Sequence, residues 1–291
     1  MTPTVGVIGV GNMGAAMARN LLAHGYTVHV HDIEAAQVHP LRDAGAVVHD
    51  SAYALAQSAS LVIVAVVDAA QVHQVIAGES GLGSALTPDH TLMLCPTIAP
   101  DDVERFAQHI QSLGACVIDA PMSGGPARAQ AGTMSLMVAC DEAVFSKHAE
   151  VLHVLSNKIF RISDRPGDGA RTKLVNNLLA GIHLVGAAEV LVLAERMGLS
   201  AQTTLDVMAQ SSGQSWIASD RMTRALADNL TPLAHMSLLT KDTRLACEAA
   251  SAVKFDARLG QYAAQVFATA CEAGWTDSDD AAMLQFLRQS K

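Results

Sequence analysis

Lys173 and two asparagines that follow it form the pattern from which most chemistry could come. Asn176 and Asn177 stand at positions i+3 and i+4 from Lys173, so on a helix all three lie close to one face. A lysine early in an apolar helix is partly desolvated and close to the positive helix end, and both effects lower the pKa of its ammonium group. We therefore predict that Lys173 exchanges a proton with a substrate hydroxyl. The residues alone leave open a solvated lysine at a helix end.

The glycine-rich segment from Gly9 to Gly14 has the spacing G-x-G-x-x-G and lies between an apolar strand and a helix. The glycines permit a tight turn and a close approach of the backbone to a pyrophosphate at the helix N-terminus. An ordinary strand-to-helix turn is the alternative. The predicted cofactor contacts in this segment are Gly9, Gly11, Asn12, Met13 and Gly14.

Asp32 ends the next predicted strand, 18 residues after Gly14. A carboxylate at this position can accept hydrogen bonds from both adenosine ribose hydroxyls, and it repels the 2′-phosphate of NADP. Residues 33–36 contain no arginine to hold a phosphate. The sequence therefore predicts NAD as the cofactor, with use of both cofactors as the alternative.

Ser123, Gly124 and Gly125 follow another predicted strand and combine a hydroxyl group with unencumbered backbone amides. Such a loop can bind a carboxylate as a backbone nest binds an anion. Taken alone, the segment is more typical of a plain turn after a strand than of a carboxylate site.

Strands and helices alternate along the first part of the chain, which predicts a doubly wound parallel sheet of the Rossmann type. We predict strands at Val5 to Val10, Tyr26 to His31, Leu61 to Val67, Thr91 to Cys95, Ala115 to Asp119 and Met134 to Ala139. From Asp168 onward the pattern is helical. The predicted domains are therefore 1–164, which binds the cofactor, and 165–291, which is all-helical and includes a long buried helix from Leu174 to Ala194.

The composition excludes several classes of function. A net charge of −9 argues against a nucleic-acid partner. The five cysteines show no paired spacing and no histidine motif has metal-ligand spacing, so we expect reduced thiols, a cytoplasmic protein and no metal. The apolar strand begins too early to leave room for a signal peptide, and polar residues within Leu174 to Ala194 argue against a membrane span.

Four motifs in order resemble those of the β-hydroxyacid dehydrogenase family. They are the Gly9 fingerprint, the segment Asp119-Ala120-Pro121-Met122-Ser123-Gly124-Gly125, the segment from Gly167 to Asn177 and the pair Lys241-Asp242. The resemblance implies NAD-dependent oxidation of a small 3-hydroxy carboxylate with Lys173 as proton acceptor and Asn177 as its partner. It implies that Ser123, Gly124, Gly125 and Asn176 bind substrate, and that Thr97 and Lys241 bind cofactor. We place Val66 and Val67 along the cofactor as well. Leu94-Cys95-Pro96 departs from the family pattern before Thr97, which puts the contacts there in doubt.

Substrate identity stays open among 3-hydroxyisobutyrate, L-threonate, L-serine and glycerate. The run from Asn177 to His183 is similar to the branch that includes L-threonate dehydrogenase, although that branch tends to depart from the Asn-Asn pair found here. The alternatives are an NADPH-dependent reductase of glyoxylate, succinic semialdehyde or tartronate semialdehyde, and a catalytically silent NAD-binding protein. Lys173 argues against an imine reductase. The long helix predicts a homodimer or homotetramer, and we interpret His183 and Trp216 as packing residues.

Overall fold

A computed structural model describes residues 4–289 of the chain. The chain divides into two compact units, Met1–Lys173 and Leu174–Lys291. The division lies inside a long helix, whereas the sequence places the domain boundary in the turn before that helix. The boundary at residue 164 stays a prediction, because compactness and chain pattern define a domain differently.

The first unit is built on a nine-stranded sheet whose first six strands are parallel, with the order β3-β2-β1-β4-β5-β6. This is the strand order of a doubly wound dinucleotide-binding fold. Beyond β6 the sheet continues with β8, which runs antiparallel to β6 and pairs with both β7 and β9. The strands are β1 Thr4–Ile8, β2 Thr27–His31, β3 Val47–Val48, β4 Leu61–Val64, β5 Thr91–Leu94, β6 Cys116–Asp119, β7 Met122–Ser123, β8 Ser135–Ala139 and β9 Lys158–Ser163.

Helices cover both faces of this sheet. The helices are α1 Asn12–Ala23, α2 Ala35–Asp43, α3 Ala52–Ala56, α4 Ala69–Ala77, α5 Pro100–Ser112, α6 Gly125–Gln130 and α7 Glu142–Leu155, with a 3₁₀ turn at Leu82–Ala85. Alternate strand residues enter opposite cores: Ile63 belongs to the core that α1 and α7 share, and Val62 and Val64 belong to the core of α3, α4 and α5. Because β4 is buried on both faces, it needs a continuous apolar run, which is why the sequence identifies it.

Three strands, β1, β4 and β5, end earlier than predicted, whereas β2, β6 and β8 end where the sequence predicts. Strand β1 ends at Ile8, since Gly9 turns away with a φ of 84°, and β4 ends at Val64 and leaves Val66 and Val67 in the following loop. The sequence also missed β3, β7 and β9. Two of these strands have only two residues each, and β9 is mostly exposed and mixes charged with apolar side chains.

The second unit is helical, and residues 174–289 contain no strand in the part of the chain that the structure describes. The helices are α8 Asp168–Arg196, which begins in the first unit, then α9 Ala201–Ala209, α10 Trp216–Leu226, α11 Met236–Ala252, α12 Arg258–Ala270 and α13 Met283–Gln289. Their core is made of Leu, Ala, Met and Phe side chains, with Phe267 as the largest fully buried one.

Helix α8 is long and apolar enough to cross a membrane by length and composition, and half of its most apolar window is buried. In the single chain, α8 exposes the apolar side chains of Val175, Leu179, Val190 and Leu193. The interpretation of His183 as a core residue was wrong for the single chain, because its side chain is exposed. Trp216 is also partly exposed, at 46%, and its packing role stays a prediction. A histidine two turns along an apolar helix need not face its core, since such a helix has no clear polar side.

Gly14 permits the closest backbone approach in the dinucleotide-binding unit, and its replacement tests that packing. A Cβ atom at Gly14 would lie 1.9 Å from the carbonyl oxygen of Gly9, so α1 would have to move. We expect Gly14→Ala to destabilise the cofactor-free protein by about 2–3 kcal/mol, which exceeds the ~1 kcal/mol that alanine contributes to helix propensity. Thermal or urea unfolding measures this change.

Gly11→Ala is the matched control, because a Cβ atom at Gly11 would meet nothing within 4 Å and the backbone there has an ordinary φ of −63°. Because Gly11 is the N-cap residue of α1, where alanine is less favourable than glycine, we expect the free energy of unfolding to fall by about 1 kcal/mol or less, a smaller loss than in Gly14→Ala. Equal midpoints for both alanine variants would refute the proposed role of Gly14 in packing.

Candidate active site

The glycine turn after β1 has the shape that a dinucleotide pyrophosphate requires. Gly9 adopts a positive φ, and its amide donates to the carbonyl oxygen of His31 over 3.0 Å. Gly11 precedes α1 without a side-chain cap, and the space where its Cβ would stand is open. Asn12 and Met13 form the start of α1. These residues fit a bound pyrophosphate, because a helix N-terminus with an open approach attracts anions.

Asp32 is held in place by two backbone amides. The amide of Val10 donates to its Oδ2 atom over 2.7 Å, and the amide of Glu34 donates to its Oδ1 atom over 2.9 Å. Each carboxylate oxygen keeps a second lone pair with which it can accept a ribose hydroxyl. The carboxylate thus fits the role that the sequence predicts for it.

A surface cavity of about 300 Å³ adjoins Asp32 on the side of α2 and β3. Its charged or titratable lining consists of His31, Asp32, His39, Arg42, His49 and Asp50. The sequence prediction did not include Arg42, because it considered only residues 33–36, directly after Asp32. Helix α2 brings it back to the cavity from ten positions further along the chain.

Three residues predicted at the cofactor follow the ends of the neighbouring strands. Val66 and Val67 follow β4, with Val67 half exposed, and Thr97 follows β5 and is partly buried. The carboxyl ends of parallel strands share one edge of the sheet, which is where such a fold binds its ligands. Their contacts with a cofactor stay a prediction.

Ser123 lies in a two-residue strand rather than in a loop, paired with Ser135 of β8. The turn follows immediately, and both Gly124 and Gly125 have positive φ values, of 135° and 75°. A Cβ atom at Gly125 would meet nothing within 4 Å, so the backbone is open to approach there. This arrangement suits binding of a carboxylate by a hydroxyl and backbone amides, and it is held rigid by the sheet.

Asp119 fixes the start of helix α8. Its Oδ2 atom accepts hydrogen bonds from the amides of Gly167, over 2.7 Å, and Ala170, over 3.1 Å. Burial raises the pKa of Asp119 to about 6, and hydrogen bonds from the amides of Gly167, Ala170 and Gly169 oppose that rise. Asp119 therefore serves as a buried carboxylate cap for the helix that carries Lys173.

The contact between Asp119 and the start of α8 requires glycine at residues 167 and 169. Gly167 has a φ of 102°, which an L side chain rarely adopts. A Cβ atom at Gly169 would stand 2.7 Å from the carbonyl oxygen of Met137 and 2.9 Å from the Cγ atom of Asp119. The first turn of α8 can lie this close to β8 only because residue 169 has no side chain.

Lys173 is buried, with 7% of its surface exposed, and Asn177 follows one helical turn later, also buried. The side-chain amide of Asn177 donates to Asp242 Oδ2 over 2.6 Å and accepts a hydrogen bond from Asn176 over 3.0 Å. Lys241 completes the group by donating to Asp242 Oδ1 over 2.8 Å. Asp242 therefore orients Asn177, whereas Asn176 is exposed and reaches Asn177 from the outer side of the helix.

The sequence predicted that Lys173 and Asn177 share one helix, and the structure has them on α8. It missed Asp119 and Asp242 as functional residues, although both stand within motifs that the sequence singles out. The sequence did offer a signal, because Asp119 lies four residues before Ser123 and Asp242 directly follows Lys241. Among residues 4–289, no group of three or more His, Cys, Asp or Glu side chains could hold a metal ion.

Two family models match nearly the whole chain. Residues 4–163 match the NAD binding domain of 6-phosphogluconate dehydrogenase, and residues 167–287 match the NAD-binding domain of NADP-dependent 3-hydroxyisobutyrate dehydrogenase. Together with the strands and helices described above, these matches confirm the predicted fold class, a Rossmann-type sheet followed by helices.

Individual relatives are similar over almost their full length. L-threonate dehydrogenase of Escherichia coli O6:H1 is 33% identical over 282 residues, which cover 97% of this chain and 93% of the relative. Mitochondrial 3-hydroxyisobutyrate dehydrogenase of Bos taurus is 30% identical over 295 residues, which cover 99% and 87%. The crystal structure of 3-hydroxyisobutyrate dehydrogenase from Salmonella typhimurium superposes with a TM-score of 0.91 at 32% identity, covering 98% of this chain and 99% of the other.

Replacing Asp119 by asparagine tests its cap through pH. Because its pKa is raised when folded, to about 6, the folded protein binds a proton there more tightly than the unfolded chain does. Its contribution to stability is therefore fully present below the unfolded pKa and is lost as the pH rises through about 6. The asparagine side chain of the variant does not titrate. We expect the free energy of unfolding of wild type minus that of Asp119→Asn to fall by roughly 2–3 kcal/mol between pH 4 and pH 7.

Urea unfolding of both proteins at four pH values measures this difference, in which other titrating groups cancel. Asp164→Asn, at an exposed site, is the matched control and is measured in the same way. A constant difference for Asp119→Asn would rule out a buried, titrating cap.

Proposed function

The chain belongs to the β-hydroxyacid dehydrogenase family, and from that premise we propose that it oxidises a small 3-hydroxy carboxylate with NAD, with Lys173 as the proton acceptor. At the coarser level it is a nicotinamide-dependent oxidoreductase that acts on hydroxy acids. We further propose that the cofactor is NAD, that the reacting hydroxyl is on C3, and that the residues named below bind the substrate and transfer its proton.

One observation carries the proposal for Lys173. Its side chain is buried on a helix whose first turn is pinned by Asp119, one turn before an asparagine that Asp242 orients. Surface lysines have no need of such a fixed backbone, because they keep their charge in water. A lysine held with this precision can exchange a proton with a bound hydroxyl at a defined place.

The residues divide the reaction between them. Ser123 and the amides of Gly124 and Gly125 bind the substrate carboxylate, and so place the hydroxyl-bearing carbon at a fixed distance from it. Lys173 takes the hydroxyl proton at its Nζ atom during oxidation and returns it during reduction, and Asn177 positions the lysine or that hydroxyl. The bound nicotinamide supplies the acceptor of the hydride. Lys241 is proposed to contact the cofactor while its ammonium group stays paired with Asp242.

NAD is proposed because of Asp32. The amides of Val10 and Glu34 hold the Asp32 carboxylate in a fixed position. At that position it accepts hydrogen bonds from the ribose hydroxyls and repels a 2′-phosphate. The alternative, an NADPH-dependent semialdehyde reductase, is favoured by one observation: Arg42 lines the cavity beside Asp32.

The substrate is proposed to be short and anionic. Relatives named L-threonate dehydrogenase and 3-hydroxyisobutyrate dehydrogenase are 33% and 30% identical to this chain. These two acids are therefore the first substrates to test, followed by L-serine and D-glycerate. L-Threonate has hydroxyl groups on both C2 and C3, and identification of its oxidised product therefore decides which carbon reacts.

Self-association is proposed from helix α8. Val175, Leu179 and Leu193 expose apolar side chains on this helix in the single chain. Burial of such a row between copies stabilises a dimer or tetramer.

Replacement of Lys173 tests the chemical step. We expect Lys173→Ala to lower kcat by about 10³-fold or more, because no other group is proposed to take the proton, while the Kd of NAD changes little. Formation of NADH, followed at 340 nm with the acid panel, measures kcat, and calorimetry measures Kd. Lys158→Ala, at an exposed lysine of β9, is the control and should keep wild-type turnover. Undiminished turnover in Lys173→Ala would disprove the assignment.

Replacement of Asp32 tests cofactor choice separately. We expect Asp32→Ser to raise the ratio of kcat/KM with NADP to kcat/KM with NAD by about 100-fold, or about 2.7 kcal/mol, since it weakens both the repulsion of the 2′-phosphate and the hydrogen bonds to the ribose hydroxyls. Asp89→Ser, at an exposed site, should leave that ratio unchanged. If wild type already prefers NADP, the NAD proposal fails and the reductase alternative takes its place.

A further inference from the structure

We infer that the cavity beside Asp32 becomes a phosphate subsite when its histidines are protonated, so that the affinity for NADP relative to NAD rises as pH falls. The inference rests on the proposed function, because it requires the adenosine ribose to lie at Asp32. It concerns the far side of that carboxylate, where the ribose 2′-position would meet the cavity.

The histidines of the cavity come from three separate segments. His31 ends β2, His39 lies on α2 and His49 follows β3. All three line the same space of about 300 Å³ as Asp32 and Arg42. Imidazoles are the side chains that change charge between pH 8 and pH 5, and here they converge with a guanidinium group, a strong donor to phosphate.

The sign of the charge in the cavity depends on these histidines. With neutral imidazoles the lining has one positive group, Arg42, against two carboxylates, Asp32 and Asp50, so it repels a phosphate. Adding one proton to each of the three imidazoles would change the net charge of the lining from negative to positive. Two exposed acids nearby, Glu34 before α2 and Asp43 beside Arg42 at 3.2 Å, make both states more negative but leave the change of three charges intact.

Hydrogen bonds show where the protons can be added. The carbonyl oxygen of His49 lies 2.9 Å from His31 Nδ1, so Nδ1 carries the proton of the neutral ring and Nε2 is its acceptor nitrogen. His49 Nε2 lies 2.7 Å from Nδ1 of His29, and their rings stack with centroids 5.0 Å apart. This pair can take one proton on an outer nitrogen and keep its internal hydrogen bond.

Burial and repulsion between the histidines favour the neutral forms of His29 and His49. Burial lowers the pKa of His29, and the charge of His49 lowers it further. Burial also lowers the pKa of His49, followed by the charge of His31, while Asp50 acts in the opposite direction. A phosphate in the cavity would favour the protonated forms, so its binding is coupled to uptake of protons. NAD has no 2′-phosphate and therefore lacks this coupling.

The test measures the Kd of NAD and of NADP by calorimetry at pH 7.8 and pH 6.0 and at constant ionic strength. We expect the ratio of Kd for NADP to Kd for NAD to fall by about tenfold at the lower pH, with net proton uptake on binding of NADP only. The phosphate group itself takes up a proton near pH 6, so the lower limit is set there. Repeating the titrations in buffers of different ionisation enthalpy counts the protons.

The triple variant His31→Gln, His39→Gln and His49→Gln should bind NAD normally at pH 7.8 and lose the pH effect. Should it fail to fold, His39→Gln alone, at an exposed position, should lose a measurable part of it. His109→Gln, on α5, is the control and should keep the whole effect. A Kd ratio that does not move with pH, or that moves equally in the triple variant, overturns the inference while NAD binding at pH 7.8 still supports the proposed function. Absence of NAD binding would overturn both.

Discussion

The buried carboxylate of Asp119 joins the end of the central sheet to the helix that carries Lys173. It accepts the amides of Gly167 and Ala170 with a single oxygen atom, at the point where α8 begins. Placing a carboxylate there without water costs free energy, as its raised pKa shows. Three backbone amides and the positive end of a long helix offset that cost. The position of Lys173 follows from this contact, because Lys173 is one turn further along the same rigid helix.

Most of the fold could be predicted from the sequence, because strands that are buried on both faces of the sheet require an apolar composition. Strand β4 is a continuous Val/Ile/Leu run for this reason, and the glycine fingerprint fixes the strand and helix on either side of it. The strands that escaped prediction, β3, β7 and β9, lie toward the edges of the sheet or have too few residues for a pattern to develop. Their existence depends on a neighbouring strand and not on their own composition.

The site was predictable where its residues share one element. Lys173 and Asn177 are separated by one turn, so helical spacing alone relates them. Asp242 reaches Asn177 across 65 positions, and Arg42 reaches the cavity beside Asp32 through the return of α2. Sequence spacing carries no information on such contacts, since they depend on how elements pack. For the same reason Ser123 was expected in a loop, whereas pairing with Ser135 places it in the sheet.

The contact between Asp119 and α8 also bears on how the protein folds. It joins residues 48 and 51 positions apart, and closing a loop of that length carries an entropic cost that only formed structure repays. Strands β6 and β8 must already lie side by side before Gly169 can settle against Met137 and Asp119. Local helix formation in α8 is fast, but the docking of its first turn is a non-local event of the kind that slows folding. The surroundings of Lys173 are therefore completed late, after the sheet that they depend on.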